Sequence, residues 1–332
     1  MLKQVQHDGL GTLSTSATSP IPPRMERLDG GSAVPQALRG GIVALGNFDG
    51  FHKGHQAVVG RAVARGRAEG RPVLVATFDP HPVRFFRPET APFRLTSLDQ
   101  RQRLFAAAGA DAMIVFHFGT ELAATEADRF ISNNLIDLIG AAGVVTGEDF
   151  TFGRGRGGNV PVLKEAGARL GFAADSVGPV SDEAGPISSS RIRDALQAGD
   201  CGTAARLLTR PFAIEGVVEH GDKRGREIGY PTANIALGPY LRPRFGIYAV
   251  RGRLDDGTLL GGAANLGIRP TFEPPKELLE PYFFDFDGDL YGRTVEVELI
   301  DFLRPEAKYD SLDALAAQMA ADCDEARRRL AA

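Results

Sequence analysis

Two histidines three residues apart, His52 and His55, lie in a glycine-rich run, Gly46-Asn47-Phe48-Asp49-Gly50-Phe51-His52-Lys53-Gly54-His55, just after an apolar stretch. At a helix entry, side chains three apart point the same way, beside backbone N–H groups that favour anions. Glycines let a phosphate approach the backbone. This pattern suits attack at a nucleotide's α-phosphate, where charged or hydrogen-bonding imidazoles stabilise the charge that builds on phosphoryl oxygens. A histidine pair alone reads equally well as exposed loop residues or part of a zinc site. Its position after a buried strand in an α/β unit favours phosphate chemistry.

Three further segments fall where the same pocket would be built. Phe78-Asp79-Pro80-His81-Pro82 closes a second apolar run, and Gly147-Glu148-Asp149-Phe150-Thr151-Phe152-Gly153 closes a later one. The latter continues into Arg154-Gly-Arg-Gly-Gly158, which reads as a flexible flap. Ile187-Ser188-Ser189-Ser190-Arg191-Ile192-Arg193 places three hydroxyls and two guanidiniums at a helix start. Capping explains one serine; the full set suits a pyrophosphate grip.

A second group lies later. No GxxxxGK[ST] loop occurs in the chain, so kinase chemistry would need another cradle. His220 to Asn234 supplies a glycine- and cation-rich turn with Gly221, Lys223, Gly225 and Arg226. In Gly229-Tyr-Pro-Thr-Ala-Asn234, Thr232 and Asn234 are two apart, so both face one side of an extended segment. Such neutral oxygens suit Mg²⁺ held mainly by substrate phosphates and water. Alone, this segment reads as a surface turn and a strand.

The elements that must position these groups fall into two kinds. From Gly41, apolar strands alternate with helices: strands at 41–46, 72–78, 113–118 and 143–146, helices at about 55–69 and 127–139. That alternation means a parallel α/β sheet with its ligand beyond the strands' carboxyl ends. The chain turns helical over 187–208. After Pro211 short strands dominate, at 213–219, 247–252, 259–265, 282–286 and 294–302, which suggests a small antiparallel barrel or sandwich. An amphipathic helix over about 311–330 closes the chain. Residues 1–24 read as a disordered leader, 25–208 as one domain and 209–332 as another, with Met25 a candidate start.

The 332 residues, 43% apolar and 24% charged, fit two globular domains. A net charge of −4 offers no broad attraction to nucleic acid or anionic membrane, so small ligands are the expected partners. Two cysteines, Cys201 and Cys323, are too few for a disulfide framework. With no apolar run of membrane-spanning length, a cytosolic location is expected. Self-association is left open.

The segments GNFDGxHxGH, FDPHP, GEDFxFG and ISSSRIR, in this order, resemble the adenylyltransferase half of the bacterial bifunctional riboflavin kinase/FAD synthetases. GYPTAN, Gly261–Thr271, Leu279–Gly292 and Phe302–Glu306 resemble their riboflavin kinase half. The resemblance implies a Rossmann-like nucleotidylyltransferase domain followed by a Greek-key β-barrel with a C-terminal helix. It implies riboflavin + ATP giving FMN, then FMN + ATP giving FAD and pyrophosphate, both with Mg²⁺. His52 and His55 would contact ATP phosphates. Gly46, Asn47, Phe48, Gly50, Asp149, Ser189, Ser190 and Arg193 would hold the nucleotide. In the kinase half the resemblance makes Glu280 the general base for the weakly nucleophilic ribityl hydroxyl, with Asp285 as the second candidate. The family commonly has histidine two residues after this glutamate; here Tyr282 stands there, with Pro281 before it.

Overall fold

The computed structural model describes residues 25–220, 229–269 and 275–331. The leader 1–24 and the expected cradle residues Gly221, Lys223, Gly225 and Arg226 lie outside the described residues.

Strand β2 (Ile42–Leu45) is buried at every position because it lies between two parallel neighbours, β3 (Val73–Asp79) and β5 (Gly143–Gly147). The sheet continues through β4 (Ala112–His117) to β1 (Glu26–Asp29) on one side and to β6 (Ala173–Val177) on the other, every pairing parallel. After β2 the chain adds strands first on the β3 side and then on the β5 side. The crevice beyond the carboxyl end of β2 is therefore the topological switch point, where open α/β sheets bind ligands. Helix α1 (Lys53–Glu69) starts there and ends at Gly70 in the left-handed conformation.

The expected strands of this half are present, each with shifted ends. The sequence reading missed β1, β6, α2 (Pro82–Phe86), α3 (Leu98–Ala107), α4 (Thr120–Ala124) and α6 (Val160–Leu170). The expected helix over 127–139 is a short α5 (Ala127–Arg129) that widens into π turns over Phe130–Leu138. The expected flap at 154–158 is instead a turn. Phe152 and Gly158 exchange both backbone hydrogen bonds, and the Arg154 N–H donates to the Thr125 carbonyl at 2.8 Å.

A small hairpin, β7 (Ser181–Asp182) and β8 (Gly185–Pro186), leads into α7 (Ser189–Ala198) and α8 (Cys201–Leu208). Six antiparallel strands then close into a barrel, which decides between barrel and sandwich. Around it run β10 (Asn234–Ala236), β13 (Lys276–Phe283), β12 (Leu259–Arg269), β11 (Gly246–Leu254), β14 (Thr294–Arg304) and β9 (Phe212–Glu219). The strand expected at 282–286 is β13, which ends at Phe283. Proline stands inside this strand, where its carbonyl accepts from the Ala233 N–H at 2.9 Å. The C-terminal helix α9 (Leu312–Ala331) lies across the outer face of β11 and β12, clamped by a bidentate Arg304–Asp322 pair at 2.6 and 2.8 Å.

The two halves share one apolar core. Leu95, Ile192, Leu196 and Leu208 pack in a single cluster with barrel residues Phe212, Tyr240 and Leu299. A parallel bridge reinforces it: the Arg94 N–H donates to the Pro239 carbonyl at 3.1 Å, and the Leu241 N–H donates to the Arg94 carbonyl at 2.8 Å. The buried Gln100 side chain satisfies three elements at once. Its oxygen accepts from the Ser97 N–H and the Tyr240 hydroxyl, both at 2.9 Å, while its nitrogen donates to the Ala213 carbonyl at 3.1 Å. Gln100→Leu leaves buried polar groups unpaired in both halves and is expected to lower stability by about 1–3 kcal/mol. A drop in the urea midpoint followed by circular dichroism checks it; an unchanged midpoint contradicts this account of the interface.

Candidate active sites

The imidazole of His52 caps α1: its Nδ1 accepts from the N–H groups of Gly54 (3.1 Å) and His55 (3.4 Å). A nitrogen that accepts carries no proton, so the proton is on Nε2, which becomes the donor available to a ligand. The His55 ring stacks on it with centroids 3.7 Å apart, and its buried Nδ1 has no hydrogen-bond partner among the described residues. The pair thus sits where the sequence placed it. Among the described residues no three His, Cys, Asp or Glu side chains are grouped as metal ligands.

The charge state differs from a cationic pair. Burial lowers the His52 pKa to about 4, against the opposing field of Asp49. Burial first, and then the neighbouring His52, pushes His55 well below its ordinary value. Burial likewise takes His81, the cap of α2, to about 4. Near neutral pH all three imidazoles are uncharged and act as directional hydrogen-bonding groups.

Positive charge comes from arginine. The Asp49 carboxylate is 4% exposed and accepts from the N–H groups of Leu95 and Thr96, the Thr96 hydroxyl and, at 2.8 Å, Arg193. Arg193 also donates to the Phe93 carbonyl at 2.9 Å and lies over the Phe93 ring. Ser189 donates from its hydroxyl to the Asp49 carbonyl at 2.9 Å, which brings the start of α7 to the start of α1. Two helix N-termini thus converge on one crevice. Ser190 is exposed on the first turn of α7, and Arg191 is turned away to Asp182 and the carbonyls of Gly185 and Pro186.

The other expected residues divide between floor and rim. Asn47 is fixed through its carbonyl by Thr77 (2.9 Å) and Arg101 (3.2 Å), and its buried side-chain oxygen has no partner among the described residues. Phe48 is core: its ring packs edge-on against His55 and Phe105, and a Cβ on Gly46 would meet that ring at 3.0 Å. Gly50 adopts φ 86°, and a Cβ there would lie 2.8 Å from Leu95. Asp149 is exposed at the end of β5, close enough to raise the His52 pKa slightly. The sequence reading missed Asp49, Thr77, Thr96 and Arg101. Arg101 is 3% exposed, with burial lowering its pKa to about 10, so it stays charged. Its only sequence signal was a charged residue early in a helix.

The second constellation lies on the outer face of the barrel. Glu280 on β13 pairs across the ladder with Asn265 on β12. On its other side β10 runs in register with β13, Ile235 opposite Leu279, so the next step places Asn234 beside Glu280 and Thr232 beside Tyr282. Asn234 is buried and Thr232 half-buried. The Glu280 carboxylate is ion-paired with Arg269, which also reaches Glu306 at 3.2 Å. Asp285 lies beyond the strand end in the left-handed region, outside this network.

Two family models match the chain: FAD synthetase over residues 34–191 and riboflavin kinase over residues 208–330. The chain is 39% identical over 291 residues to the bifunctional riboflavin kinase/FMN adenylyltransferase of Escherichia coli strain K12, covering 88% of this chain and 92% of that one. It is 37% identical to the Haemophilus influenzae protein of the same name, covering 91% and 98%. The chain belongs to the bifunctional riboflavin kinase/FMN adenylyltransferase family. It is an enzyme with an adenylyltransferase half and a kinase half, both of which take nucleotide substrates. A Streptococcus pneumoniae crystal structure described as a macrolide-efflux protein is 32% identical, with TM-score 0.80, covering 92% of this chain and 99% of that one. Among the described residues no helix of this chain is long and apolar enough to cross a membrane.

The buried imidazoles carry a stability signature. A histidine whose folded pKa is about 4 must bind its proton at a cost, so its contribution is fully present above the free-imidazole pKa of about 6.5 and is lost as pH falls through about 4. His52→Asn keeps a capping acceptor and removes the titration. The fall in melting temperature from pH 7 to pH 4 is expected to be smaller in this variant than in the parent protein. Equal falls by calorimetry would show that His52 is not held neutral.

Proposed function

We propose that the crevice between the starts of α1 and α7 transfers the adenylyl group of ATP to FMN, and that the β10–β13–β12 face phosphorylates riboflavin. The observation that carries the first assignment is the His52 tautomer, fixed by two backbone donors so that Nε2 carries the proton, within the field of Arg193. An oxygen of the FMN phosphate attacks the α-phosphorus, the bond to the bridging oxygen breaks, and pyrophosphate leaves. His52 and His55 stabilise the equatorial oxygens, while Arg193, Ser189, Ser190 and the amides of the loop hold the triphosphate. Asn47 and Asp149 bind at the floor and rim. Phe86, 65% exposed beside Phe85 and Phe118, offers a flat apolar surface for the isoalloxazine ring.

On the barrel, Glu280 takes the proton of the terminal ribityl hydroxyl as its oxygen attacks the γ-phosphorus of ATP, and ADP departs. Thr232 and Asn234 fit Mg²⁺ as neutral oxygen donors, the buried amide standing one ladder position from the carboxylate. When bound, the ion would neutralise charge on the β- and γ-phosphates. The two buried, unpaired cysteines suit a reducing cytosol.

In the full-length protein with riboflavin, ATP and Mg²⁺, His52→Ala is expected to slow FAD formation by about 10²–10³-fold while FMN formation stays near the parent rate. Glu280→Ala is expected to do the reverse. Chromatographic separation of the flavins reads both, and FAD formation at the parent rate in His52→Ala overturns the assignment.

A further inference from the structure

The side chain of Asn265 has a direction that its neighbours impose. Its nitrogen donates to Glu306 Oε1 at 3.1 Å. A carboxylate only accepts, so the amide must turn its NH₂ towards Glu306 and its oxygen the other way. That oxygen is buried and has no hydrogen-bond partner among the described residues. An unpaired buried acceptor is uncommon in a folded protein and calls for an explanation, of which a donor on a ligand is one. Across the ladder from Asn265 stands Glu280.

Glu306 is itself held in place. It follows Arg304 and Pro305 at the end of β14, and Arg304 is fixed by its bidentate pair with Asp322 on α9 and by the Pro305 carbonyl at 2.9 Å. Its carboxylate lies over Gly267, where a Cβ would stand 2.3 Å from Oε1, so a side chain there would displace it. Arg269 then bridges Glu306 and Glu280. Two carboxylates, one guanidinium and one amide therefore form a connected set, and within it the amide oxygen is the buried acceptor left without a partner among the described residues.

We propose that Asn265 is a substrate-orienting residue of the kinase reaction, its side-chain oxygen accepting the ribityl hydroxyl proton's hydrogen bond until Glu280 removes that proton, and that Glu306 is the positioning residue that fixes the amide. This rests on the kinase reading of Glu280. Asn265 holds the hydroxyl with its lone pair towards the γ-phosphorus. The hydroxyl then swings its proton from the Asn265 oxygen to Glu280, the O–H bond breaks with the proton passing to that carboxylate, the O–P bond forms, and the bond to the leaving ADP oxygen breaks.

The test uses the full-length enzyme with riboflavin, ATP and Mg²⁺, measuring kcat and KM of FMN formation in Asn265→Ala, Glu306→Gln and Glu280→Gln. Loss of one oriented hydrogen bond is expected to lower kcat roughly tenfold in the first two, with KM for ATP unchanged within about twofold. Conversion of added FMN to FAD and the melting temperature should stay at parent values, which a merely structural role would not allow. If Glu280→Gln is inactive while Asn265→Ala and Glu306→Gln keep the parent kcat, this inference fails and the kinase reading stands. If Glu280→Gln keeps FMN formation, the kinase reading itself fails. A joint loss of FMN formation, FAD formation and thermal stability in both variants would also overturn the proposal.

Discussion

A carboxylate buried as deeply as Asp49 stays ionised only if the chain surrounds it with donors, and the arrangement of the whole adenylyltransferase half follows from meeting that requirement. Two amides, a hydroxyl and a guanidinium converge on it. Three of those donors come from Leu95 and Thr96, and the fourth, Arg193, is steered by the carbonyl of Phe93. The extended segment 93–96 therefore fixes the phosphate crevice from one edge. Its neighbouring residue Arg94 bridges to Pro239 and Leu241, shortly after β10 in the barrel. The loop that orients the first site is thus laid against the segment that follows β10, the strand that begins at Asn234.

The barrel half solves a different problem. Its interior is packed with Leu266, Leu279, Val297 and their neighbours. Polar residues alternate with these along β12 and β13, and the alternation of a strand sends Asn265 and Glu280 to the outer face. There α9 covers the upper part, with Tyr282 and Phe284 packed towards it and Arg327 over the Phe284 ring. Tyr282, the departure from the family pattern, packs edge-on against the Tyr230 ring.

Local chemistry carried most of what the sequence revealed. A buried parallel strand followed by glycines and a helix start announces a phosphate site, because each feature arises within about ten residues, and the histidine pair stands where that reasoning put it. Contacts between distant segments were not legible. Nothing near Arg101 signals that it will be buried against Thr77, and Asp49 reads as a turn residue until Leu95 and Thr96 are folded onto it. The strand boundary at Phe283 was missed for a related reason: the charged and proline-containing stretch 276–281 looks like a loop until its partners β10 and β12 are in place.

The neutral histidines and charged arginines divide the electrostatic work of the first site. Arg101 keeps its proton through the physiological range even with its pKa lowered to about 10, so its charge there is constant. An imidazole held near pKa 4 supplies no such steady charge, but it offers an N–H whose direction is set by the backbone of Gly54 and His55. Direction matters most where the phosphorus changes geometry, since a donor placed beforehand need not reorganise as charge moves onto the equatorial oxygens. A bound triphosphate also adds negative charge beside the pair, which favours the protonated form and works against the burial that suppresses it. In the proposed adenylyl transfer, the same imidazoles are buried uncharged and become more strongly stabilising as negative charge is brought to them.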